Sequence, residues 1–153
     1  MSVSQFSFLE AEFSEQFEAA AQAEKYALND PGTAVIHARR ALESGVKWVY
    51  AHDRSLVRPY DSTLNTLLNE PAFTKLADGR VINVSRKIQR AGNRAVHEAK
   101  PPARLEAVEV VSSLFHFCLW LAVTYGREAK PDPGVRFNPH GLMDHGKAEK
   151  ASP

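Results

Sequence analysis

Apolar residues recur at intervals of three and four along most of this chain, and no stretch alternates apolar with polar residues at the period of a strand. The pattern predicts an all-α fold, a bundle of about five helices. A first stripe runs through Leu9, Phe13, Phe17, Ala20, Glu24 and Ala27 and is broken by Asn29-Asp30-Pro31-Gly32. Asp30 suits an N-cap with Pro31 at the first helical position, because a carboxylate can accept unpaired amides while proline leaves none unpaired. The second helix is expected to reach about His52, with Val35, Ala38, Leu42, Val46 and Val49 inward and Arg39, Arg40, Glu43 and Lys47 mostly outside that stripe. A short helix carrying Leu64, Leu67 and Leu68 is expected to be capped by Asp61 or Ser62 and to end at Pro71. The fourth helix is placed from about Arg80 to Glu98, stopped by Pro101-Pro102. The fifth spans roughly Ala103 to Tyr125, with Gly126 as its stop.

The fifth helix does not fit a single buried face. Val108, Val111, Phe115, Cys118, Leu119 and Ala122 form one stripe, and Val110, Leu114, Phe117 and Leu121 form another on a different side. Two arrangements satisfy that pattern: a central helix surrounded by its own bundle, or a helix whose second side, with Phe117 and Leu121, forms a homodimer or interdomain surface. After Arg127 the composition changes. Four prolines, three glycines and few apolar residues make residues 128–153 an expected linker or tail following a helical domain of residues 1–127.

Composition narrows the function classes. The 153 residues are 44% hydrophobic and 24% charged, the profile of one globular domain. With 19 Lys+Arg against 18 Asp+Glu the net charge is +1, so nucleic-acid contact has to come from a local patch. The single cysteine, Cys118, excludes an intramolecular disulfide and a cysteine-based zinc site. The start, MSVSQFSFLE, has neither the basic residues nor the apolar run of a signal peptide. The longest apolar run, Leu114 to Val123, is about half of the ~20 residues that a membrane span needs. A cytoplasmic protein without membrane contact is expected.

Chemistry concentrates on the fourth helix, VINVSRKIQRAGNRAVHE. With Arg90 at zero and about 100° per residue, Asn93 falls near −60°, Arg94 near +40°, His97 near −20° and Arg86 near −40°. Val81, Val84, Ile88, Ala91, Gly92 and Ala95 collect on the opposite side, and Gly92 there suggests close approach by another backbone. Arg86, Arg90, Asn93 and Arg94 thus form a candidate nucleic-acid-binding stripe. Arg90 and His97 are candidate catalytic groups, since RNA cleavage needs a proton acceptor or donor and fixed positive charge on the phosphate. Arginine suits the second role because its planar fork can bind two phosphate oxygens. The same spacing also fits a solvated face, with His97 a polar residue near a helix end. Elsewhere His140 and His145 fall in the tail without metal-ligating partners, and His37, His52 and His116 have no catalytic signature. Glycine-rich phosphate loops and a serine nucleophile elbow are absent. No cofactor and no metal site is expected.

The segment Arg90-Ala91-Gly92-Asn93-Arg94-Ala95-Val96-His97 resembles the arginine, six residues, histidine pattern of HEPN domains, in the Gly-Asn-x-x-x-His form of a HEPN-related domain of formerly unknown function. SFLEAEF, DPGTAVIHARRALESGVKWVYAHD, PYDSTLNTLLNEPAF and LFHFCLWLAVTYGR resemble the N-terminal helical domain of bacterial type I restriction enzyme R subunits. The resemblance runs from about Ser7 to Arg127. It implies a HEPN-like helical bundle, commonly a dimer. In ribonuclease members an arginine and a histidine from each of two chains form a metal-independent RNA-cutting site, which here would be Arg90 and His97. One position departs from the active pattern: Ala91 stands where Asn, Asp or His usually follows the arginine. The 153 residues hold neither a nuclease carboxylate cluster nor a Walker-type ATP site. The expected role is therefore an accessory domain of a restriction system, as a piece of an R subunit or a short stand-alone relative. Homodimerisation or other restriction-system subunits are the implied partners, with RNA or DNA as ligand. The alternative is a dimeric HEPN-type endoribonuclease.

Overall fold

The structure is a computed structural model that describes residues 3–128 and 130–142, and every element among them is helical. A 3-10 turn, Ser7–Leu9, leads into α1 (Ser14–Tyr26) and α2 (Pro31–His52), followed by two short helices, α3 (Leu64–Asn69) and α4 (Pro71–Leu76). Two long helices, α5 (Gly79–His97) and α6 (Arg104–Tyr125), complete the bundle. Asp30 caps α2 by accepting from the Thr33 N–H at 3.3 Å, with Pro31 at the first turn, as the sequence predicts. The α3 cap differs from both residues expected. Thr63 accepts from the Thr66 N–H at 3.3 Å, while Asp61 accepts from the Thr63 N–H at 3.0 Å and the Thr66 hydroxyl at 2.9 Å. Pro71 ends α3 but also opens α4, because a proline at the first helical position loses no hydrogen bond.

The two-sided apolar pattern of α6 resolves as a central helix. Val110, Leu114, Phe117, Cys118 and Leu121 are all fully buried in the single chain. The second stripe, for which the sequence leaves both a central helix and a homodimer or interdomain surface open, is covered from within: Phe117 lies against Gly45 of α2, where an added Cβ would sit 2.6 Å from its ring. Fully burying a Phe or Leu side chain contributes about 1.5–3 kcal/mol, so filling this seam internally is the favourable arrangement for a lone chain. The same burial explains why α6, among the described residues, is long and apolar enough to cross a membrane by length and composition. More than half of its most apolar window, 56%, is covered by the bundle.

Two polar side chains buried in the bundle are matched. The Gln16 amide of α1 donates to the Ser44 hydroxyl at 2.8 Å and to its carbonyl at 3.2 Å. Tyr50 donates its hydroxyl to the Leu67 carbonyl at 2.6 Å and so holds α3 on α2. Burial, and secondarily the Glu70 charge, push the Tyr50 phenol up to about 12.

The described part of the expected tail is not free of the domain. Phe137 packs on Phe115 at 5.6 Å between ring centroids, and Leu142 is buried. Gln5 donates to the Asn138 carbonyl at 2.8 Å and accepts from the Asn138 N–H at 2.7 Å. Two well-placed apolar side chains and this amide clasp tie down a segment whose average composition reads as a linker. His145 lies outside the described residues.

Candidate functional site

Helix α5 begins where Asp78 accepts from the Val81 N–H at 2.9 Å, and it places its polar stripe on the outside of the bundle as the 100° spacing requires. Val81, Ile88, Ala91 and Gly92 are buried, whereas Arg90, Asn93, Arg94 and His97 are exposed and Arg86 is half-buried. The side chains along the stripe are not equivalent. Arg94 forms an ion pair with Glu106 of α6, and the neighbouring Lys87 meets Glu109 at 3.3 Å. Their charges are thereby offset, so both contribute less to an anion's attraction. Arg86 donates to the Asn69 side-chain oxygen at 2.6 Å, a neutral acceptor that fixes the guanidinium and leaves its charge uncompensated.

Arg90, Asn93 and His97 make no hydrogen bond or ion pair with any described residue. Asn93, one turn before His97, does not bond it, and no described carboxylate orients the imidazole. What α5 presents in a single chain is thus a set of free donors around Arg90. An oriented acid–base pair of the kind general catalysis needs is not assembled there.

On the opposite, buried side of α5 a residue of α2 makes the close contact at Gly92. Arg39 of α2 lays its aliphatic stem over Gly92, where a Cβ would sit 2.5 Å from Arg39 Cδ and 2.8 Å from its Cβ. The neighbour that requires Gly92 is therefore a long side chain, in place of the backbone expected from sequence. The Arg39 Nε is buried without a hydrogen-bond partner, leaving its donor unspent in the α2–α5 seam. Glycine on the buried side of α5 announced a close contact. Nothing in the spacing of α2 identified Arg39 as the residue making it.

The remaining histidines take structural roles or stand apart. His37 stacks on Tyr26 at 6.1 Å, and its basicity is lowered by burial and by the Arg40 charge. His52 stacks on Trp48 at 4.0 Å, with Nδ1 2.8 Å from the Trp48 carbonyl. His116 is exposed on α6 beside Phe115, and the His140 N–H is held by Asn138. Among the described residues no three His, Cys, Asp or Glu groups converge as a metal site. Burial pushes the Cys118 thiol up, away from nucleophilic behaviour. A groove of about 570 Å³ between α1 and α2 mixes Glu15, Glu18 and Glu43 with His37, Arg40 and Lys47 and so favours no one charge.

A family model described as a domain of unknown function (DUF4145) matches residues 21–133, a stretch that includes all of α2 to α6 and the Arg90 face. No curated protein and no solved structure matches the chain.

Proposed function

The chain belongs to this DUF4145 family, and from that premise we propose that it is a helical accessory domain of a type I restriction system R subunit, contributing nucleic-acid contact through α5. The single observation carrying the nucleic-acid part is the exposed Arg90, which makes no ion pair with any described residue, flanked on the same helix face by Arg86 on a neutral acceptor. Guanidinium groups without internal carboxylate partners are suited to phosphate oxygens. The restriction-system part rests on the resemblance of four segments to the R-subunit N-terminal domain. Fluorescence anisotropy with a labelled oligonucleotide over a salt series tests the contact. Arg90→Ala is expected to weaken binding several-fold and to reduce the salt slope by about one phosphate contact. Binding and slope unchanged by that substitution would place the contact elsewhere.

A second reading is a HEPN-type endoribonuclease, favoured by the common availability of Arg90 and His97 on the last turns of α5. It requires a twofold partner to complete the site. Because Phe117 and Leu121 are covered, the apolar surface for such a contact is Val96, 60% exposed beside His97, with Leu105 at 69%. On this reading the purified protein cleaves RNA in EDTA, and His97→Ala abolishes cleavage while helicity is retained. Cleavage that survives His97→Ala eliminates the site.

A further inference from the structure

The connection between α2 and α3 is held at both ends and carries an unusual outer surface. Leu56 is buried and anchors its middle. Asp53 accepts from the Ser55 N–H at 2.9 Å, the Ser55 hydroxyl at 2.6 Å and the Tyr125 hydroxyl at 2.6 Å. At the other end Asp61 is engaged by Thr63 and Thr66. These bonds hold both carboxylates below the usual range, with Ser55 the largest influence on Asp53 and Thr63 on Asp61. The acidic groups of the loop are thus turned to its own backbone and hydroxyls.

The outward side chains are Arg54, Val57, Arg58 and Tyr60. Val57 is 83% exposed and Tyr60 108%, the most exposed large hydrophobic residue of the described chain. Arg54, Arg58 and Tyr60 make no hydrogen bond, ion pair or ring contact with any described residue. An aromatic ring on a tethered loop, with two uncompensated guanidiniums within six residues, has one face for stacking and charge for a phosphate chain.

The packing of α3 brings this loop to the α5 face. Asn69 bonds Arg86 at 2.6 Å and Asn65 bonds Gln89 at 3.3 Å. Asn65 precedes Asn69 while Gln89 follows Arg86, so α3 runs antiparallel to α5 with its N-terminus toward Arg90. The loop enters α3 at that end, and Tyr60 lies four residues before Leu64. From this juxtaposition we infer that Tyr60 and Arg58 form a base-stacking platform adjoining the Arg86/Arg90 face, and that the ligand is an unpaired nucleic-acid strand. The inference rests on the nucleic-acid reading above and narrows it: duplex contact needs only the arginines, whereas a stacking ring has value only where bases are unpaired.

The experiment compares a labelled 20-nucleotide single strand with a 20-base-pair duplex, titrated with the protein and its variants at one salt concentration. The single strand is expected to bind more tightly. Tyr60→Ala should weaken single-strand binding roughly tenfold with little effect on the duplex, and Tyr60→Phe should retain it, since stacking uses the ring and not the hydroxyl. Circular dichroism checks that Tyr60→Ala keeps its helicity, as an exposed side chain predicts. Equal binding of both forms with Tyr60→Ala silent overturns the platform and leaves the Arg90 contact standing. No binding of either form overturns both. A Tyr60→Ala that leaves oligonucleotides untouched but weakens capture of a methylation and specificity subunit assembly assigns the loop to a protein contact and also overturns the inference.

Discussion

Leu121→Asp should abolish the fold. Leu121 is fully buried on the side of α6 that faces α2, with Cδ2 3.6 Å from where a Gly45 Cβ would stand. Shortening a buried leucine to alanine costs about 2–5 kcal/mol through lost transfer energy and the residual cavity. An aspartate adds a carboxylate with no cationic partner placed to receive it, and the dehydration penalty is several kcal/mol more even when the group binds a proton instead. Domains of this size are stable by about 5–15 kcal/mol, so the combined loss consumes most or all of the margin. Circular dichroism should show reduced helicity at 222 nm and no cooperative thermal transition. A variant that keeps its helicity and a sharp transition would place Leu121 on the surface and restore α6 as an interface between chains.

That outcome separates what the apolar pattern specifies from what it leaves open. Helical periodicity locates α2, α5 and α6 to within a residue or two, since the 3.6-residue repeat and the Asp30-Pro31 and Asp78-Gly79 boundaries are local properties of the chain. The first stripe, read from Leu9, divides instead into a 3-10 turn at Ser7–Leu9 and α1 from Ser14. The two-sided character of α6 is equally local. Which neighbour covers the second side is not, because the answer depends on Gly45, some seventy residues away, leaving room for the Phe117 ring. The candidate site divides in the same way. The exposed stripe of Arg90, Asn93, Arg94 and His97 follows from angular spacing on one helix. The pairing of Arg94 with Glu106, of Arg86 with Asn69, and the seating of Arg39 on Gly92 are tertiary facts between helices, invisible to any single-helix projection. Nothing in the sequence pattern singles out Tyr60. Its exposure emerges once Leu56 is seen to take the inward position beside it and the two aspartates to fix the loop ends.

Gly45→Val is the sharpest test of that long-range fit. Alanine at this position would gain up to about 1 kcal/mol of intrinsic helix propensity over glycine. The new Cβ, however, meets Phe117 Cε2 at 2.6 Å and Cζ at 3.0 Å, and Phe117 is fully buried with no open space to retreat into. Overpacking of that kind costs typically 1–3 kcal/mol, so Gly45→Ala should be net destabilising despite its better propensity. Valine adds two more carbons and a β-branched side chain in the same seam, and should lose more than alanine. Urea denaturation should show the midpoint falling in the order wild type, Gly45→Ala, Gly45→Val with the slope unchanged. Combining Gly45→Ala with Phe117→Leu removes the ring that collides. The double variant should therefore lose less stability than the sum of the two single losses, a coupling expected only for side chains in contact. Gly92→Ala should be destabilising as well, because its obstacle includes Arg39 Cβ at 2.8 Å, an atom fixed to the α2 backbone that no rotation of the side chain moves away. Additive losses in the Gly45/Phe117 pair would show that the α2–α6 seam is looser than a direct ring-on-backbone contact requires.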